Sequence, residues 1–138
     1  MDRILVLDPG DSTGWVMRDN DGQIIGGTIG SDHVEVANLI SRLKPNLLIY
    51  ETFQLYPNKA QKMCWNSFYP CEVIGVIKYI ATSMNIPLLG LQPSVKKYAG
   101  TLDFDTIVIV DGLKPTEHTK DAYRLFYYWY RNNERGPK

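Results

Sequence analysis

The first apolar segment constrains the fold of this chain more than any other feature. Residues 4–7 are all aliphatic, and they run directly into Asp8 and the turn-forming pair Pro9 and Gly10. A short unbroken apolar run predicts a buried strand, and a Pro-Gly pair marks a turn at its end. We therefore expect Asp8 at the end of a central strand, where its side chain leaves the core and faces a crevice.

The remaining segments predict an α/β domain. Residues 14–18 and 23–29 are expected to form two strands around a hairpin turn at 19–22. A helix capped by Ser31 or Asp32 leads to a buried strand at 47–50. The later elements are predicted as a helix at 70–84, a strand at 85–89, a short helix at 94–99, a β-branched strand at 106–110 and a helix at 117–132 capped by Thr116. Gly75 interrupts the 70–84 helix, and we expect it to allow close packing on the sheet.

Composition places the chain among globular proteins with one domain, covering residues 1–138. Hydrophobic residues make up 44% and charged residues 22% of its 138 residues, which suits a domain with a substantial core. No apolar run approaches the ~20 residues of a membrane helix, and the N-terminus does not read as a signal peptide. Cys64 and Cys71 lack zinc-finger spacing, so we expect reduced thiols in a cytoplasmic protein.

Two more acids are expected to face the same crevice as Asp8. Glu51 follows the buried run at 47–50, and Asp121 lies on the last predicted helix. Three carboxylates converging from two strand ends and one helix predict a divalent-metal site, because Mg²⁺ prefers a few carboxylates and retained waters. Two such ions roughly 4 Å apart can neutralise a phosphate and activate water. Without metal, the three acids would repel one another and raise one or more of their pKa values.

His118 stands three residues before Asp121, so both lie on one face of the helix. It could position or deprotonate an attacking water, or stabilise charge near a phosphate. The alternatives are a surface histidine at a helix start and, for Asp8, a turn-capping acid. Glu51 is harder to explain in that way, because an acid at a buried strand end needs a partner.

The ordered set of motifs resembles the RuvC-type Holliday junction resolvases of the ribonuclease-H-like superfamily, particularly the short phage versions. The matching stretches span nearly the whole chain and are residues 7–10, 12–15, 49–51, 58–60, 75–76, 93–97 and 118–122. Two segments depart from the bacterial pattern. These are the short, β-like stretch within 101–114 and the connection at 53–66, which contains Trp65.

The resemblance implies a ribonuclease-H-like mixed sheet of five strands, with an antiparallel meander followed by crossover strands, flanked by helices. It implies an endonuclease dependent on Mg²⁺ or Mn²⁺ that cuts branched DNA as a homodimer, in the host cytoplasm if the chain is phage-encoded. By residue, it assigns Asp8, Glu51 and Asp121 as metal ligands and His118 as the fourth catalytic position. No nucleotide cofactor and no membrane are expected.

DNA binding must come from a local basic face, because 15 basic residues balance 15 acidic ones. Lysines around the crevice would neutralise backbone phosphates without reading sequence, and aromatic side chains could stack on unpaired bases. The candidates are Lys59, Lys62, Lys96, Lys97, Lys120, Phe53 and Tyr56. The alternatives are a solvated face for the lysine pair at 96–97 and ordinary packing for the aromatics.

Other functions share parts of this pattern. A flap or fork endonuclease or a ribonuclease H would use the same metal chemistry, and a non-catalytic branched-DNA-binding module would use the same surface. The acid-turn-Ser-Thr-Gly stretch also resembles the phosphate-binding turn of actin-like ATPases and sugar kinases, but those need two lobes to enclose a nucleotide. The last helix carries a second aromatic stripe, Tyr123, Tyr127 and Tyr130, which could face solvent or a partner.

Overall fold

The computed structural model describes residues 2–30, 32–53, 69–112 and 114–133. Within these ranges the strands are β1 (Ile4–Asp8), β2 (Ser12–Arg18), β3 (Ile24–Gly30), β4 (Leu47–Glu51), β5 (Leu88–Leu91) and β6 (Val108–Ile109). The α-helices are α1 (His33–Leu43), α2 (Tyr69–Ser83) and α3 (Glu117–Asn133). Two 3₁₀ helices, η1 (Pro93–Tyr98) and η2 (Phe104–Thr106), lie between β5 and β6.

The strands form one mixed sheet in the order β5-β4-β1-β2-β3-β6. β1, β2 and β3 pair antiparallel, whereas β4 pairs parallel with β1, β5 with β4, and β6 with β3. The predicted meander followed by crossover strands is therefore confirmed. The sheet in the described part of the chain has a sixth strand beyond the five expected, because Val108 and Ile109 pair with the edge of β3.

Alternation along β1 divides the interior into two cores. Leu5 and Leu7 pack with α1 and α2 on one face of the sheet, while Ile4 and Val6 pack with α3 on the other. Successive strand residues point to opposite faces, so Asp8 continues the series of Ile4 and Val6. Its side chain is thereby directed to the face covered by α3.

Several predicted boundaries move, each for a local reason. β5 begins at Leu88 rather than residue 85, because Asn85 takes a left-handed conformation with φ 56° and belongs to the turn that ends α2. The predicted strand at 106–110 divides into the end of η2 and the two residues of β6. Most of the 53–66 connection lies outside the described residues. None of the described helices is long and apolar enough to cross a membrane.

Gly75 does not have the predicted packing role. It is exposed on α2, and a Cβ placed there would meet no atom of the described residues within 4 Å. The expectation of close packing against the sheet was wrong, because Val73 and Ile77, two residues away on either side, are the ones that enter the core. Gly75 instead leaves the outer face of α2 flat.

Gly14 has the tight packing that Gly75 lacks. The first turn of α3 crosses β2 at this position, and a Cβ on Gly14 would overlap the backbone carbonyl of His118. Hydroxyl groups add to the same contact, since Thr119 Oγ1 donates to Gly27 O at 2.6 Å and Thr116 Oγ1 accepts from Thr119 N at 3.2 Å. Thr116 therefore caps α3, as predicted. The start of this helix is fixed against β2 and β3.

A pair of glycine substitutions tests this packing. We expect Gly14→Ala to lower the free energy of unfolding by about 1–3 kcal/mol or more, the range for overpacked interiors. Gly75→Ala is the matched control and should raise it by up to about 1 kcal/mol, since it removes a glycine from a helix interior. Urea unfolding followed by circular dichroism measures both. A Gly14→Ala protein as stable as the wild type would show that α3 does not press on β2.

Candidate active site

The candidate site begins with two acids at the ends of neighbouring parallel strands. In the register of β1 and β4, Leu7 pairs with Tyr50, so Asp8 and Glu51 are the next residues along each strand. Glu51 follows Leu47 and Ile49, which pack on the α3 face, as Asp8 follows Ile4 and Val6. Parallel pairing and alternation together place both carboxylates side by side on the same face.

The third acid comes from α3. Asp121 lies one turn beyond the anchored start of this helix, and its Oδ2 is 3.2 Å from Lys96 Nζ. The same ammonium lies 2.5 Å from Glu51 Oε1. Glu51 Oε1 is buried, and the Lys96 ammonium is the cation that lies against it. The structure therefore brings Asp8, Glu51 and Asp121 together around one lysine.

Lys96 reaches the acids because η1 follows β5, the strand next to β4. The C-terminal end of η1 is tied to the far end of α3, where Arg131 Nη1 donates to Ala99 O at 2.9 Å and to Tyr98 O at 3.4 Å. Burial alone would lower the pKa of Lys96, but its contacts with Glu51 and Asp121 outweigh burial and raise it. The lysine is therefore charged at neutral pH.

Asp8 is held in its neutral form. Its residue is only 6% exposed, and burial, followed by a side-chain hydrogen bond and charge repulsion from Glu51, raises the pKa of Asp8 from 3.8 to about 9. Asp121 adds to this rise and Lys96 partly opposes it. Burial and like charge both disfavour an ionised carboxyl, so protonated Asp8 donates to the Glu51 carboxylate. The expected rise in carboxylate pKa is confirmed for this residue.

His118 stands at the entrance of the site. Its Nδ1 lies 3.7 Å from Asp8 Oδ2, and its side chain is 50% exposed. This distance is too long for a direct hydrogen bond. The imidazole nevertheless faces both Asp8 and solvent, a position from which it can reach a bound water or a substrate oxygen.

Sequence reasoning missed one member of the cluster. Arg124 Nη1 lies 2.5 Å from Asp121 Oδ1, and its guanidinium carbon is 5.0 Å from the centre of the Phe104 ring. The spacing of three residues on one helix was the available signal, because such pairs share a face. Asp121 therefore has one cation on each carboxylate oxygen, Arg124 on Oδ1 and Lys96 on Oδ2.

The donor set fits a hard divalent cation, because carboxylate oxygens are the ligands that Mg²⁺ and Mn²⁺ accept. The arrangement is nevertheless that of a lysine-paired cluster. Among the described residues, no three histidine, cysteine or acidic side chains are placed to hold an ion together. The Lys96 ammonium contacts both Glu51 and Asp121. An ion could use all three acids only after Lys96 moved.

The other predicted DNA contacts are spread around this centre. Lys97 is exposed, with its ammonium 5.2 Å from the centre of the Tyr98 ring. Lys120 pairs with Glu117 at 3.4 Å and lies 5.4 Å from the centre of the Phe104 ring. Phe53 is half-buried just beyond β4, whereas Lys59, Lys62 and Tyr56 lie outside the described residues. Lys96 lies within the acidic cluster, whereas the sequence predicted it among the DNA contacts around the crevice.

No protein-family model and no curated protein matches the sequence, but solved structures match the fold. Thermus thermophilus RuvC in complex with a Holliday junction substrate is 14% identical, with a TM-score of 0.66 and coverage of 96% of this chain and 97% of that one. The chain has the RuvC-type resolvase fold. A second T. thermophilus RuvC structure matches at 15% identity, a TM-score of 0.57 and coverage of 94% and 96%. A yeast mitochondrial Holliday junction resolvase matches at 14% identity, a TM-score of 0.54 and coverage of 94% and 78%.

These matches confirm the fold that the motifs implied. The similarity to the T. thermophilus RuvC complex covers 96% of the chain. At this level of identity the comparison establishes the architecture, while the chemistry must be argued from the residues of this chain.

The titration of Asp8 predicts an unusual pH dependence. Asp8 has a folded pKa near 9 and an unfolded pKa near 3.8, so folding favours its protonated form. The contribution of Asp8 to the free energy of unfolding is therefore complete below about pH 4 and is lost as pH rises towards 9. Asn cannot ionise. In EDTA, the melting temperature of Asp8→Asn should therefore exceed that of the wild type by more at pH 8 than at pH 5.

The matched control is Asp11→Asn, which removes an exposed acid three residues away. A difference between Asp8→Asn and the wild type that is equal at both pH values would show that Asp8 is ionised in the folded protein.

Proposed function

We propose that this protein is a divalent-metal-dependent endonuclease that cleaves phosphodiester bonds in four-way DNA junctions and related branched DNA. One observation carries the proposal. Acids from β1, β4 and α3 cluster at the strand ends of a RuvC-type fold, where Lys96 pairs with Glu51 and Asp121 and Asp8 lies beside Glu51. Partly burying several charged side chains costs free energy, and a hydrophobic core does not require it. A phosphate-cleaving site does require clustered acids, because they hold the divalent ions.

Asp8, Glu51 and Asp121 would hold Mg²⁺ or Mn²⁺. A divalent ion there supplies positive charge to the scissile phosphate and activates a water nucleophile. Asp8 would lose its proton when the ion binds, because a carboxyl must be ionised to bind a metal. His118, beside Asp8 and half-exposed, receives or delivers a proton at the edge of the site.

Lysines near the site bind the DNA backbone in this proposal. Lys97 and Lys120 lie on η1 and on the first turn of α3, the two elements that border the acids. Phe53 follows Glu51 by two residues, so it can contact a base near the cleaved phosphate. The predictions for Lys59, Lys62 and Tyr56 belong to the same surface.

The proposal includes a homodimer, because resolving a junction requires cuts in two strands related by a two-fold axis. A C2 dimer supplies two sites in that relation. The outer face of α1 and α2 is suited to the contact, since Val34 is 66% exposed and Tyr79 is 71% exposed there. A groove on this face is lined by His33, Val34, Ala37, Glu72, Gly75, Val76, Tyr79 and Ile80.

Gly75 supports this choice of face, because a flat spot on α2 lets a second helix approach closely. The aromatic stripe of α3 is less suitable. Tyr123 is only 3% exposed and belongs to the core, with Tyr127 and Tyr130 packed against it. The stripe thus closes the interior on the α3 side, and the partner surface lies on the opposite side of the sheet.

Single substitutions of the four candidate catalytic residues test the site through their effect on cleavage. With Mg²⁺ and a labelled four-way junction, we expect Asp8→Asn, Glu51→Gln and Asp121→Asn to abolish cleavage, because each removes a metal ligand. His118→Ala should lower single-turnover cleavage by roughly 10²-fold, the scale for an acid–base group. Junction binding in EDTA should persist in all four variants, which shows that they are folded.

The same assay includes a flap, an RNA–DNA hybrid and plain duplex. Full cleavage by one of the acid variants would remove that residue from the site. Preference for the hybrid would point to a ribonuclease H, and preference for the flap to a fork endonuclease. Junction binding by a wild type that cuts none of the four would leave a non-catalytic binding module.

The dimer is tested through Tyr79. We expect Tyr79→Glu to sediment as a monomer where the wild type sediments as a dimer, because a charge in an apolar contact costs several kcal/mol. On a supercoiled plasmid with a cruciform, the wild type should produce linear DNA and Tyr79→Glu nicked circles. Tyr98→Glu, a 64% exposed tyrosine on η1, is the control and should remain dimeric. A monomeric wild type that only nicks would contradict the dimer.

A further inference from the structure

The position of Lys96 carries an inference beyond the general metal site. Its side chain is 21% exposed, and its ammonium contacts Glu51 at 2.5 Å and Asp121 at 3.2 Å. One ammonium therefore bridges an acid of β4 and an acid of α3. Its neighbour Lys97 is exposed and lies against the Tyr98 ring instead. Of these two adjacent lysines, only Lys96 is built into the acidic cluster.

Lys96 and a divalent ion compete for the same place. An ammonium that contacts both Glu51 and Asp121 fills the space between them, which is where an ion shared by these acids would lie. Two cations this close together repel strongly in a partly buried site, where the effective dielectric constant is low, and the second charge of a divalent ion increases the repulsion. Both cannot remain between the two carboxylates, so the ion must displace the lysine.

The surroundings of Lys96 permit this displacement without unfolding the site. Arg124 keeps Asp121 Oδ1 at 2.5 Å while Lys96 holds Oδ2, so Asp121 retains one fixed oxygen after Lys96 leaves. The backbone of η1 remains tied to α3 through Arg131 and Ala99 O. Rotation of the flexible four-carbon stem of the lysine is then sufficient.

We propose that Lys96 is a tethered counter-cation that holds the carboxylate cluster together in the metal-free protein and is displaced from Glu51 and Asp121 when a divalent ion binds. The inference rests on the metal dependence proposed above. It explains how acids from three elements stay clustered without metal. Displacing the lysine costs free energy, so the ion binds more weakly than it would to the same acids without Lys96.

Amine labelling of the wild-type protein tests the displacement directly. DNA-free protein is treated briefly with acetic anhydride in EDTA or in saturating Mg²⁺, and peptide mass spectrometry measures acetylation of Lys96 relative to Lys97. An ammonium held in two ion pairs reacts slowly, so the ratio should rise several-fold with Mg²⁺. An unchanged ratio, in protein that binds Mg²⁺ by calorimetry, would overturn the inference and leave the metal site intact.

Removing the charge tests the competition. Lys96→Met keeps the length of the stem, and we expect it to bind Mg²⁺ about tenfold more tightly, within the usual range of coupling between two ligands. In EDTA its melting temperature should fall, because Glu51 and Asp121 lose their cation, and Mg²⁺ should restore it. Lys97→Met is the control and should change neither quantity.

Lys96→Arg provides a second variant if Lys96→Met does not fold. It keeps a cation in the cluster, so its affinity for Mg²⁺ should stay near that of the wild type or below it. Equal or weaker Mg²⁺ binding by folded Lys96→Met would overturn the inference, as would tighter binding by Lys96→Arg. Failure of the wild type to bind Mg²⁺ at all would refute the metal dependence itself and the inference with it.

Discussion

The site depends on the parallel pairing of β1 with β4. That pairing brings two strand-terminal acids, Asp8 and Glu51, into hydrogen-bond contact on one face of the sheet. Two ionised carboxylates at such a distance repel strongly in a partly buried site. The protein relieves the repulsion in two ways, since Asp8 keeps its proton and Lys96 supplies a positive charge. In the proposed function, a divalent ion would relieve the same repulsion.

The two faces of the sheet are covered by different helices. On one face, α3 is pressed against β2 at Gly14 and bonded to Gly27 through Thr119, which fixes Asp121 relative to the acids of the strands. On the other face, α1 and α2 cover a second core and leave Val34 and Tyr79 exposed. The candidate active site therefore lies on one side of the sheet, and the proposed partner surface lies on the other.

The segment that departs from the bacterial pattern has a definite role in this chain. η2 places Phe104 against Arg124, and Arg124 holds the outer oxygen of Asp121. A variable segment is thus connected to a candidate metal ligand through a cation–π contact and an ion pair.

Much of this protein could be read from its sequence. The apolar run before Asp8, the hairpin turn at 19–22, the cap at Asp32 and the spacing of His118 and Asp121 are local signals, and local sterics and hydrogen bonds determined their outcome. The motif order also predicted the fold. These features share one property, which is that the residues responsible for them are neighbours in the chain.

Tertiary structure alone decided where charges meet. Lys96 and Asp121 are 25 residues apart, and Lys96 and Glu51 are 45 apart, so spacing could not show that one ammonium joins both acids. The sequence predicted a strand at 106–110, but only the pairing with β3 showed which two residues of it join the sheet. Gly14 and Gly75 look alike in the sequence, yet a helix packs on the first, whereas a Cβ on the second would meet none of the described residues. Burial and ion pairing arise from packing between distant segments, and neither composition nor periodicity specifies that packing.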